Sequence, residues 1–93
     1  MALHLKPDDV DAHNDLGNIL NDEGRTTDAI VQYEEALRLK PDDAAAHLNL
    51  AIALLKSPGR SNDAVAQLEA VLRLQPGNEA AQRILARIWK SQQ

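Results

Sequence analysis

The feature that most restricts how this chain can fold is a phrase written three times. Leu37-Arg38-Leu39-Lys40-Pro41-Asp42-Asp43 is its clearest copy, Leu3-His4-Leu5-Lys6-Pro7-Asp8-Asp9 precedes it, and Leu72-Arg73-Leu74-Gln75-Pro76-Gly77-Asn78 is a more divergent third. The prolines Pro7, Pro41 and Pro76 stand 34 and then 35 residues apart. A period of that size implies units stacked side by side, because one such unit cannot bury its apolar face alone. With one extra residue allowed near Ser57-Pro58, aligning 7–40 with 41–75 leaves 16 of 34 positions identical, so the whole unit repeats and not the phrase alone.

Each copy of the phrase ends one helix and starts the next. Proline lacks the N–H a helix interior needs and its ring clashes with the preceding turn. Two residues later Asp9, Asp43 and Asn78 stand where a side-chain oxygen can accept from the free amides of a first turn. From there Ala12, Leu16, Ile19 and Leu20 form one stripe, which predicts a helix over 9–22 that Gly24 ends with a left-handed turn. A second helix is expected after Thr26-Thr27-Asp28, a hydroxyl cap followed by an acid, with Ala29, Ile30, Tyr33, Ala36 and Leu37 apolar. The plan then recurs. Leu50, Ala51 and Leu54 carry a third helix that Gly59 breaks, and Ala64, Val65, Leu68, Val71 and Leu72 carry a fourth. Ala81, Leu85, Ala86, Ile88 and Trp89 carry a fifth from about Asn78 to Ser91.

The expected fold is therefore all-α, with five helices and about two and a half repeats. The apolar share of 44% is almost all Leu, Ala, Ile and Val, with one Tyr, one Trp and no Phe, which suits packed helices and not strands. The expected organisation is one domain over 1–93. Within it, 1–6 is the remnant of a preceding helix, 7–40 the first repeat, 41–75 the second, and 76–93 a half repeat or capping helix. Because Ala2–Lys6 reads as the last turn of a helix whose earlier turns are missing, the chain is expected to be an excised piece of a longer one.

Composition excludes several functions. A net charge of −4 argues against a general nucleic-acid binder, which carries a basic face. Without cysteine there is no disulfide framework, thiolate nucleophile or Cys-rich zinc site. No run of 18 apolar residues exists, and Lys6-Pro7 interrupts any signal-peptide core. Any compartment is compatible, with a soluble, cytoplasmic segment as the default expectation. His13 and His47 hold equivalent places on neighbouring helices, about 10 Å apart and beyond shared ligation, so they read as packing residues. Asp8-Asp9-Asp11 and Asp42-Asp43 lack the alternating ligands, glycine and bidentate Glu of a calcium loop. Gly24-Arg25 and Gly59-Arg60 are turns without a Gly-x4-Gly-Lys phosphate loop. No Ser, His and acid set is arranged for nucleophilic catalysis. The expectation is a non-enzyme with no cofactor and no metal.

The spacing resembles the tetratricopeptide repeat, whose unit reads W-x2-L-G-x2-Y, then A, F, A and P. His13 stands in the Trp place, Leu16-Gly17 match the Leu-Gly pair, Leu20 replaces the Tyr, and Ala29, Tyr33, Ala36 and Pro41 follow at the expected offsets. His47, Leu50-Ala51, Leu54, Ala64, Leu68, Val71 and Pro76 fill the same places in the second unit. Small residues at Gly17, Ala29, Ala51 and Ala64 are expected where the paired helices cross closely. The resemblance implies a right-handed α-solenoid of antiparallel helix pairs that binds a peptide or partner protein on a concave face built from the first helix of each pair. Carried over by position, the expected partner-binding residues are Asn14, Asn18, Leu48, Asn49, Ile52, Leu55, Arg83, Arg87 and Lys90. Asn18 and Asn49 coincide with asparagines that hold ligand backbone in the family. Lysine where Asn14 stands and basic residues where Ala80 and Ile84 stand would be needed for a chaperone carboxylate clamp, so that version is rejected. Ile88 and Trp89, with no helix behind them, are the expected self-association residues. The rival functions are thus a homo-oligomer, end-to-end or swapped at Ser57-Pro58-Gly59, and a non-catalytic C-terminal appendage of a larger enzyme.

Overall fold

The computed structural model describes residues 9–91. Five helices follow one another: α1 (Val10–Asp22), α2 (Thr26–Leu39), α3 (Ala44–Leu55), α4 (Ser61–Leu74) and α5 (Glu79–Ser91). No strand occurs among the described residues. The expected remnant helix at 1–6 lies outside them, as do His4, Pro7 and the last two residues of the tail.

The seams are built as their residues require. The Lys40 N–H donates to the Ala36 carbonyl at 2.9 Å and the Gln75 N–H to the Val71 carbonyl at 2.7 Å, closing α2 and α4. The chain turns over Pro41-Asp42 and Pro76-Gly77 and is pinned by the Asp43 N–H on Lys40 (3.1 Å) and the Asn78 N–H on Gln75 (3.0 Å). The next helix is then capped. Asp9 accepts from the Ala12 N–H at 3.1 Å, Asp43 from Ala45 and Ala46 at 3.1 and 3.3 Å, and Asn78 from Ala81 at 2.9 Å. Each such cap contributes about 1 kcal/mol by satisfying amides the helix itself cannot.

The other two helix starts have no side-chain cap, against the hydroxyl cap expected at α2. No threonine hydroxyl caps α2: Arg25 and Arg60 occupy the cap positions of α2 and α4, with no side-chain cap bond. Gly24 and Gly59, at φ of 81° and 76°, reverse the chain so tightly that the following arginine already stands at the helix entrance. Each guanidinium turns instead to the acid of the first turn, Arg25 to Asp28 through Nε (3.0 Å) and Nη2 (2.8 Å), and Arg60 to Asp63 through Nε (3.1 Å). Both pairs are exposed, so they steady the turn more than they stabilise the fold.

α1 packs on α2 and α3 on α4 most closely; α2 also packs on α3, α4 on α5, and α1 touches α3. One continuous apolar cluster results, from Leu20, Ile30 and Tyr33 through Leu50, Leu54 and Leu68 to Leu85 and Ile88. The molecule is a slab of 45 × 26 × 18 Å.

Within each pair, size complementarity sets the helix crossing. A Cβ on Gly17 would lie 2.5 Å from Tyr33 Cε1 and 2.8 Å from Cδ1, so the ring occupies the space a larger residue would need. The second pair has Ala51 and Leu68 at these places, both fully buried: a methyl larger on one helix, a smaller side chain on the other. Gly17→Ala should therefore lower stability. The overpacking cost of about 1–3 kcal/mol exceeds the ~1 kcal/mol gain in helix propensity. In a Tyr33→Leu background, which copies the second pair, the same Gly17→Ala change should become stabilising. Thermal unfolding of the two single variants and the double variant checks that reversal of sign, and additive effects would contradict it.

Candidate functional site

The surface available to a partner is set by which side chains the stack consumes. His47 belongs to the stack. Its Nε2 donates to the Pro41 carbonyl at 2.7 Å, and Nδ1 lies 2.7 Å from the Gln67 side-chain amide, so the ring ties seam, α3 and α4 together. His13 makes the equivalent contact to Gln32 at 2.8 Å and is buried. In the third unit Gln82 takes over the seam bond, its Nε2 donating to the Pro76 carbonyl at 2.9 Å. Sequence reasoning assigned the histidines to packing but missed these amide partners. The recurrence of Gln32 as Gln67, one repeat on, was the available signal.

Asn14 was expected on the open face, and the structure places it elsewhere. Only 8% of it is exposed, and its Nδ2 donates to Asp43 at 3.0 Å. The amide thus joins α1 to the cap of α3. Its Oδ1 is buried without a hydrogen-bond partner, as is that of Asn21. Asn18 is exposed, and its carbonyl oxygen accepts from the Tyr33 hydroxyl at 2.5 Å, which ties up part of its acceptor capacity and leaves its N–H groups open to a ligand. Burial of the phenol, reinforced by the negative charge of Asp22, raises the Tyr33 pKa above its ordinary 10.0.

The central helix α3 is the apolar part. Ile52 and Leu55 are 36% and 37% exposed, and Leu48 and Asn49 are half-buried, Leu48 resting against the core. At the far end, Ala80, Arg83, Ile84 and Arg87 line a depression of about 330 Å³ along α5. Arg83 reaches Glu79 at 3.6 Å across highly exposed side chains, whereas Arg87 and Lys90 have no carboxylate within 4.0 Å among the described residues. α1 is the reverse: Asp11, Asp15 and Asp22 with no Lys or Arg. Charge therefore changes sign from first helix to last. The two expected self-association residues separate: Trp89 is 55% exposed, but Ile88 is buried at 8% because it turns inward to the core. Among the described residues no group of three or more His, Asp or Glu is placed to hold a metal ion, and no helix is long and apolar enough to cross a membrane.

A family comparison bears on what such a stack is. Residues 17–57 match the family model of the TPR repeat. Over that stretch the chain is similar to tetratricopeptide repeats. Tetratricopeptide repeats generally mediate protein–protein interaction and are typically non-catalytic. Comparison with curated proteins finds no match.

Tyr33 is the sole tyrosine, so its ionisation can be followed directly. A folded pKa raised above the unfolded value means stability that is complete below the unfolded pKa and is lost as pH rises through the folded one. The tyrosinate absorbance of the folded chain should therefore rise at higher pH than that of the denatured chain. Tyr33→Phe should lose the corresponding alkaline fall in stability, and coincident titration curves would contradict the burial argument.

Proposed function

We propose that this tetratricopeptide-repeat chain is a non-catalytic interaction module that holds an acidic, partly apolar peptide across the first helices of its repeats. In this reading the repeats run over 7–40 and 41–75, with 76–93 as a half repeat or capping helix. The observation that carries the reading is the depression lined by Ala80, Arg83, Ile84 and Arg87. Two arginines there flank an isoleucine, and Arg87 has no carboxylate within 4.0 Å among the described residues. An apolar side chain of the ligand would rest on Ile84 while its carboxylates meet Arg83, Arg87 and Lys90. Arginine suits this work, since its planar fork can take both oxygens of a carboxylate. Leu48, Ile52 and Leu55 would extend the apolar contact. Asn49, which makes no side-chain hydrogen bond among the described residues, would offer both donor and acceptor to ligand backbone. Asn18 would contribute its N–H groups. Asn14 is left to the α1–α3 junction.

Hydrogen bonds between charged groups contribute about 1.5–3 kcal/mol, and each 1.4 kcal/mol is tenfold in affinity. Arg83→Glu with Arg87→Glu should therefore weaken binding of a fluorescent Leu/Glu-rich peptide by roughly tenfold or more. Anisotropy titrations should show the wild-type affinity falling as salt rises. Equal affinity for the double variant, or for a Leu/Lys-rich peptide, would remove the basic end from the site.

A further inference from the structure

Tyr33 and Asn18 form one unit that the second repeat lacks. The Tyr33 ring lies across Gly17, where no side chain competes with it, and its hydroxyl reaches the amide of the next residue, Asn18. Only 1% of Tyr33 is exposed, whereas Asn18 is open to solvent. One repeat on, the same two slots hold Leu68 and Ile52. Leu68 is fully buried, so packing at that slot needs no hydroxyl. The hydroxyl is present where the open slot carries an amide and absent where it carries a hydrocarbon.

The contact orients the amide. Its length of 2.5 Å fits O–H···O better than N–H···O, which runs closer to about 2.9 Å, so the Asn18 oxygen is the atom facing the phenol. Burial and the charge of Asp22 keep that phenol protonated, and hence a donor. The Nδ2 branch of the planar amide is left over, and it donates to no group among the described residues. Asn18 shares its slot with Ile52 on α3 and Arg87 on α5, both exposed, so all three first helices open at this position.

We infer that Tyr33 is a positioning residue: it fixes the Asn18 amide so that its N–H groups take a neutral carbonyl oxygen of the ligand. This rests on the reading of the first-helix face as the binding face. The oxygen is neutral because Asp15 and Asp22 stand three residues before Asn18 and four after it, exposed and on the same side of α1. Neither is in an ion pair with Lys or Arg among the described residues. Their charge turns ligand carboxylates away from this end, and Arg83 and Arg87 receive them at the other. An amide already oriented need not be ordered when the ligand arrives, and ordering one side chain costs about two- to tenfold in affinity.

The test uses the full chain and the fluorescent Leu/Glu-rich peptide. Tyr33→Phe keeps the ring and removes only the hydroxyl, and it should weaken binding about two- to tenfold. Asn18→Ala should weaken it at least as much. The double variant should bind no more weakly than Asn18→Ala alone, because Tyr33 acts only through the amide. In the free chain, the side-chain NH2 resonances of Asn18 should move on Tyr33→Phe while those of Asn49 stay. Additive losses in the double variant, full affinity in either single variant, or Asn18 resonances that do not move would overturn the inference. If Arg83→Glu with Arg87→Glu weakens binding while Tyr33→Phe does not, the binding face stands and the positioning role alone falls. A wild-type chain that does not bind the peptide defeats both.

Discussion

The stack depends on what a single carboxylate does at the central seam. Asp43 holds two amides of the first turn of α3 with one oxygen and the buried amide of Asn14, on α1, with the other. Cap and junction are thus one group. The first contact fixes where α3 begins, and the second fixes where α3 lies against the helix one unit earlier. Because Pro41 forbids the preceding helix from running on, Asp43 meets α3 at one position only. His47 closes the same corner from the other side by holding the Pro41 carbonyl.

The repeats keep slots and vary occupants. The seam carbonyl is held by a histidine at 47 and by a glutamine at 82. The close crossing is filled by glycine with tyrosine in one pair and by alanine with leucine in the other. The junction that Asn14 and Asp43 make polar corresponds by position to Leu48 and Asn78, an apolar residue beside a capping amide. Combined volume is kept at the close crossing while the chemistry of the slots drifts, the behaviour expected of packed interiors. The drift also changes what reaches the surface. At the outward positions of the first helices it runs from aspartate and asparagine, through leucine and isoleucine, to arginine and lysine. A uniform scaffold thereby acquires a polar gradient.

Most of the fold was legible because its signals are local and repeated. Pro41 with Asp43, the left-handed Gly24 and Gly59, and the stripes through Tyr33 and Leu68 each force a helix edge or face, and the period compounds them. The start of α2 was misread because a threonine next to a turn looks like a cap. The geometry that a positive-φ glycine imposes on the following arginine is not visible in propensity. The site was less legible. Counting helix positions puts Asn14, Asn18 and Arg83 on one face, yet whether an amide is free depends on residues far along the chain: Asp43 for Asn14, Tyr33 for Asn18. The same limit separated Ile88 from Trp89, adjacent in sequence but turned inward and outward.

The central claim is that Asp43 couples neighbouring units and does not merely start one helix. Residue-resolved hydrogen exchange of the wild-type chain and of Asp43→Ala tests it most directly, since exchange reports the opening of each amide separately. If the account is right, protection falls in the first turn of α3 and also along α1 around Asn14 and at the α2–α3 contact, while α5 keeps its own cap from Asn78. Loss confined to the amides of Ala45 and Ala46, with α1 unchanged, would show that Asp43 is a cap and nothing more.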